Sequence, residues 1–297
     1  MDFNHGTELL KLCEKEKLPI SQVMKKREAD FSGITQEEVE EKMKKALEIM
    51  KESARKPLKD PVPSIGGLIG GEAKKLKEYQ EKGRSVCGGL MSKAITYAMA
   101  VLEVNASMGV IVAAPTAGSA GVVPGVLLAL QEEYDLSDEE IIKGLYTAGA
   151  VGYLLMRNAS VAGAEAGCQA EVGAASAMAA AAAVEVMGGT PAMCLHAASG
   201  ALANLLGLVC DPIGGLVEAP CQNRNSVGAA NAMICAQQAL AGITQVIPFD
   251  QMAEAMYHVG RSLPFELRES ALGGCAQTPA ACARVCEIFS ANLPSIP

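Results

Sequence analysis

Apolar residues recur along much of this chain at helical spacing. In QEEVEEKMKKALEIMKES, Val39, Met43, Leu47 and Met50 fall on one face, and the opposite face is charged. Thr35 and Glu38 form a capping box ahead of that stretch, with Ile34 and Val39 at the staple positions. Ser137 and Glu140 repeat the device, with Leu136 and Ile141 as the staple, and predict a helix running to about Met156. Asp250 is placed to cap a helix over FDQMAEAMYHVGRSL. Residues 56–71, KPLKDPVPSIGGLIGG, read as a linker. Only GVIVAAP (109–115) and VIPF have strand character, and both fit buried helix ends equally well. The pattern predicts an all-α fold, mainly helical, with Gly-rich loops and little or no strand.

Composition sharpens this picture. A chain of 297 residues, 50% hydrophobic and 20% charged, is long enough for a full core and too apolar for disorder. A net charge of −8 argues against non-specific nucleic-acid binding. Aromatics make up 4% and Trp is absent, so the core must be closely packed helices built on small and aliphatic residues. Charge is unevenly placed: residues 1–143 carry 43 of the 58 charged side chains, and Lys143 is the last lysine. The second half is therefore expected to hold core, active site and subunit interface, shielded by the first. The chain is expected to divide into a charged N-terminal helical region, 1–60, and a catalytic region, 61–297, the two packed as one unit. The apolar runs at 141–156 and 173–187 hold Lys143 and Glu185 and are poor membrane spans. The N-terminus lacks an apolar export core, which predicts a cytoplasmic protein. Ten cysteines in a reducing compartment read as buried residues, metal ligands or nucleophiles rather than disulfides.

Four turn-rich segments depart from helix sequence: APTAGSAGVVPG (114–125), NASVAGAEAGCQAEVG (158–173), CDPIGGLVEAPCQNRN (210–225) and GGCAQTPAAC (273–282). Cys168, Cys210 and Cys221 each sit within two residues of Gly or Pro; beside glycine, backbone can approach an inorganic group without a Cβ clash. Their spacings match neither zinc ribbons nor ferredoxins, so spacing alone leaves burial and ligation both open. Burial suits Cys13, Cys87, Cys194, Cys235 and Cys286, which lie in helix-like contexts.

The segments APTAGSAGVVPGVL, NASVAGAEAGCQAEVGAASAMAAAA, LGLVCDPIGGLVEAPCQNRN and the late GGCA resemble the α chain of the iron–sulfur, PLP-independent bacterial L-serine dehydratases. The resemblance covers nearly the whole chain. It implies a [4Fe–4S] cluster on Cys168, Cys210 and Cys221, one iron left open to act as Lewis acid on the β-hydroxyl of L-serine, and deamination to pyruvate and ammonia. It also implies a separate β chain, hence a hetero-oligomer. Related alternatives are an L-cysteine desulfidase and, in a different class, an electron-transfer iron–sulfur subunit. PLP chemistry needs a lysine, and none lies among the cysteine loops.

Other candidates gather round these motifs. The resemblance favours the loop Thr116, Ala117, Gly118, Ser119, Ala120 and Gly121 for the substrate carboxylate, through backbone amides and the Ser119 hydroxyl; a plain helix-start turn is the alternative. Asn158, Asn223, Arg224 and Asn225 are further polar candidates, and Arg224 has Asp211 as a rival partner. Glu165 and Glu171 flank Cys168 as acid–base candidates or as a buried structural pair. In single-chain relatives a C-terminal cysteine reaches the open iron. The matching position is Cys282, although this chain continues 15 residues beyond it; Cys275 is the alternative.

Overall fold

A computed structural model describes residues 1–290. It contains thirteen α-helices: α1 (Gly6–Glu16), α2 (Ile20–Ser32), α3 (Gln36–Lys59), α4 (Glu72–Glu81), α5 (Gly88–Ala106), α6 (Val122–Tyr134), α7 (Asp138–Asn158), α8 (Gly163–Ala166), α9 (Ala174–Val186), α10 (Pro191–Asn204), α11 (Cys221–Leu240), α12 (Phe249–Ser262) and α13 (Pro279–Ser290). The fold is all-α. Among the described residues the single β-pairing is an isolated parallel bridge between Cys210 and Arg268. Neither GVIVAAP nor VIPF forms a strand; the first is an irregular segment leading into the Thr116 loop, and the second ends in the first residue of α12.

Both predicted capping boxes form. Thr35 accepts from the Glu38 amide and Ser137 from the Glu140 amide, while each glutamate reaches back to its cap residue. Helix α3 runs through Pro57 to Lys59, four residues into the expected linker. Asp250 does not cap its own helix. Its carboxylate accepts from the Gly6 amide (2.6 Å), the Thr7 amide (3.0 Å) and the Thr7 hydroxyl (2.7 Å), and so closes the N-terminus of α1. Asp250 is already the second residue of α12, and Pro248 takes the cap position.

At the centre lies α9, AASAMAAAAAVEV. Every residue from Ala174 to Val184 is buried, so it presents no solvent face. Helices α6, α7, α10 and α11 pack around it. Alanine makes this possible, because a methyl group lets neighbouring backbones approach on all sides and carries the highest helix propensity. Buried residues of α1–α3, such as Leu9, Val23 and Leu47, belong to the same continuous core as α9. No described helix is long and apolar enough to cross a membrane.

Candidate functional site

Cys168 immediately precedes a π-helical turn, Gln169–Gly173, that runs into α9. Gly167 before it has φ +76°, a region closed to most side chains. A Cβ there would lie 2.8 Å from the Leu208 carbonyl oxygen. This close approach lets the Gln169 amide bond Leu208 O at 2.9 Å and docks the segment carrying Cys210. Cys210 is held at both backbone groups: its amide donates to Leu267 O (2.9 Å) and its carbonyl accepts from Glu269 N (2.7 Å). Cys221 is the first residue of α11, where helix amides favour a thiolate.

All three thiols are buried and unpaired. They are near enough that each charge would act on the others. Burial, first, and Glu171, second, push the Cys168 thiol up to about 12 and the Cys210 thiol well above its ordinary range. Burial, then Cys168, push Cys221 up to about 12. Left to themselves these groups stay protonated, so the site needs a positive centre to make thiolates of them. Among the described residues, no three His, Cys, Asp or Glu side chains converge tightly enough for a single metal ion. A polynuclear cluster asks instead for sulfurs spread around its faces. The surroundings suit that: a Cβ on Gly163 would lie 3.0 Å from Cys210 Sγ and 2.5 Å from Glu171 Oε2, so glycine keeps this wall open. The donor set and its glycine wall fit an iron–sulfur cluster.

Glu171 joins the thiols to the Thr116 loop. It accepts from Thr116 Oγ1 (2.8 Å) through Oε1 and from Cys210 Sγ (3.6 Å) through Oε2. Burial raises its carboxyl above the ordinary range, against the Thr116 hydrogen bond. The loop itself is a 3₁₀ turn, Ala117–Ser119. Ser119 is fully buried, paired with Thr116 inside the turn (3.0 Å), so Thr116 rather than Ser119 supplies the hydroxyl facing Glu171. Ala117 and Gly118 head the turn, where amides have no partner within it. Ala120 and Gly121 are buried behind it.

Asn225 fixes this loop to the helix of Cys221. Fully buried, it accepts from the Gly121 amide (3.0 Å) and donates to Gly118 O (2.8 Å) and Cys221 O (2.9 Å). Arg224 takes the partner that rivals substrate: its guanidinium meets Asp211 at 2.7 Å, donates to Val209 O at 2.8 Å, and also bonds the Cys168 thiol.

The structure does not gather every candidate. Asn158 lies elsewhere, donating to Asn4 O (2.7 Å) and Leu154 O (3.0 Å). Asn223 is exposed on α11. Glu165 is exposed and accepts from Ser160 Oγ (2.6 Å), away from Glu171. Cys282 is exposed on α13, its thiol directed to Ala276 O (3.8 Å); Cys275 sits closer, its amide donating to Asp211 Oδ2 (2.6 Å).

Sequence reasoning overlooked Glu218. Three residues before Cys221, its carboxylate accepts from Ser64 Oγ, Gly66 N (2.7 Å) and Leu68 N (2.9 Å), clamping the 61–71 loop beside the site. The available signal was the rarity of charge in the second half, where a lone glutamate beside a cysteine motif stands out.

A helical chain that brings a half-buried carboxylate, a hydroxyl-bearing turn and a buried thiol into contact is built as an enzyme subunit. A family model described as "Serine dehydratase alpha chain" matches residues 15–276, and the chain belongs to that family. It is 48% identical over 277 residues to the "Probable L-serine dehydratase, alpha chain" of Bacillus subtilis, covering 93% of this chain and 92% of the relative. It is 45% identical to the "L-serine dehydratase, alpha chain" of Peptoniphilus asaccharolyticus, covering 92% and 94%. Against the "L-serine dehydratase" of Streptomyces coelicolor it is 36% identical, covering 92% of this chain and 60% of the longer relative.

Proposed function

We propose that this chain is the catalytic α chain of an L-serine dehydratase, converting L-serine to pyruvate and ammonia in company with a separate β chain. The observation that carries the reading is the junction at Glu171, where one half-buried carboxylate touches both the Thr116 turn and the thiol of Cys210.

Cys168, Cys210 and Cys221 would hold a [4Fe–4S] cluster, which supplies Lewis acidity toward the substrate β-hydroxyl. The amides of Ala117 and Gly118 and the Thr116 hydroxyl receive the substrate carboxylate. Glu171, displaced from Thr116 by that carboxylate, is the group placed to move a proton between substrate and site. Arg224, anchored by Asp211, holds Cys168 and leaves substrate to the turn. Asn225 keeps turn and Cys221 in register. Elimination leaves aminoacrylate, which tautomerises to the imine and takes up water to release ammonia and pyruvate. All ten cysteines are free thiols, which supports a reducing, cytoplasmic setting.

The test is anaerobic reconstitution with iron and sulfide, together with the β chain. Pyruvate is expected from L-serine without added PLP, with little sulfide from L-cysteine. No pyruvate under those conditions, or activity that depends on PLP, overturns the assignment.

A further inference from the structure

Away from the thiols, helices α2, α3 and α7 border a half-open cavity of about 300 Å³. Its walls are apolar, with Met24, Ile34, Val39 and Met43 among them, and two charges of opposite sign, Glu28 and Lys42, stand on the same lining. Two observations mark it as more than a packing gap. The first is Tyr146. It lines the cavity and is 3% exposed, yet its hydroxyl has no hydrogen-bond partner among the described residues. A buried phenol without a partner loses the full desolvation of a polar group. The charged groups that act on this phenol are Glu40 and Glu28, and Glu28 shares its wall.

The second is Gly149, one turn further along α7. Two other glycines of this helix are required by packing: a Cβ at Gly144 would meet Val186 at 2.8 Å, and one at Gly152 would meet Met178 at 3.0 Å. A Cβ at Gly149 would meet nothing within 4 Å. A mid-helix glycine weakens a helix by roughly 1 kcal/mol relative to alanine. Packing gives no reason for it here, but an open cavity wall does.

The geometry points to a binding site for an aliphatic L-α-amino acid, taken up as the zwitterion: ammonium toward Glu28, carboxylate toward Lys42, side chain among the methionines and Val39. The volume lies at the small end of ligand pockets, which suits a molecule of this size. Methionine walls adapt to branched aliphatic shapes. The cavity also reaches the reaction centre. Val112 lines it, and Val112 lies four residues before Thr116 in the irregular segment that delivers the substrate-binding turn. An occupant therefore bears on the segment that positions that turn.

Calorimetric titration of the full chain tests this without turnover, so failure of the proposed reaction leaves it standing. L-Leucine is expected to bind one to one. 4-Methylpentanoate, lacking the ammonium, and 3-methylbutylamine, lacking the carboxylate, should each bind about ten-fold more weakly or worse. Tyr146→Phe should weaken L-leucine about five-fold. Gly149→Leu should fill the cavity and abolish binding, with helical circular dichroism unchanged. The proposal is overturned by absence of L-leucine binding at millimolar concentration, by either truncated analogue binding as tightly as L-leucine, or by undiminished binding in Gly149→Leu. Exclusion of L-leucine when the β chain is added would assign the cavity to that chain and overturn it as well.

Discussion

Asn225 is the residue on which the site's geometry turns, because its one amide serves two backbone stretches at once. Removing it leaves the Gly121 amide and the Gly118 carbonyl without partners. Asn225→Ala should lower unfolding free energy by roughly 3 kcal/mol in urea titration and detach the Thr116 turn from Cys221. Glu171→Gln is expected to keep the fold and any bound cluster's visible absorption while lowering kcat about 10²-fold or more, measured as pyruvate release. A second half-buried carboxylate, Glu185, gives a pH signature. Burial pushes it above the ordinary range, against hydrogen bonds from Ser21 and Thr147 that pull it down. The folded chain thus holds this proton more tightly than the unfolded chain does. Its contribution to stability is full below the ordinary glutamate range and is lost as pH rises through the folded value. Glu185→Gln should flatten that fall in melting temperature as pH is raised above the ordinary glutamate range. At this scale the sequence disclosed residue types better than roles. The cysteine motifs and Glu171 were visible as rare groups in turn-rich segments. Glu165 looked equivalent to Glu171 because both flank Cys168, and only the start of the π-helical turn separates an exposed glutamate from a half-buried one.

Elements were legible wherever the signal is local. The capping boxes at Thr35 and Ser137 depend on residues three apart, and both formed as read. Asp250 was misjudged because its partners lie far away in sequence, at the opposite end of the chain. Asp250→Ala should therefore leave α12 intact and loosen α1 instead. Hydrogen exchange should show lost protection over residues 6–16, with a stability loss of about 1–2 kcal/mol, as for other removed caps. The Pro- and Gly-rich composition of 56–71 reads as a linker from its first residue, but proline near a helix end forfeits little, and α3 continues past Pro57 to Lys59.

For the molecule as a whole, composition spoke early. Few aromatics and abundant alanine meant helices in close contact, and α9 is the extreme case, surrounded on every side. Which helix would be central was not readable, since a stretch buried all round has no amphipathic stripe to orient it. Ala180→Leu should destabilise by about 1–3 kcal/mol in urea titration, because no neighbour of this helix is free to retreat. The clasp between Asp250 and α1 reaches further still. Its two halves lie 244 residues apart, so on a ribosome the first helix emerges roughly ten to fifty seconds before its cap is made. During vectorial synthesis that segment must wait with hydrated amides, and the N-terminus of α1 gains its cap only once residue 250 has left the ribosome.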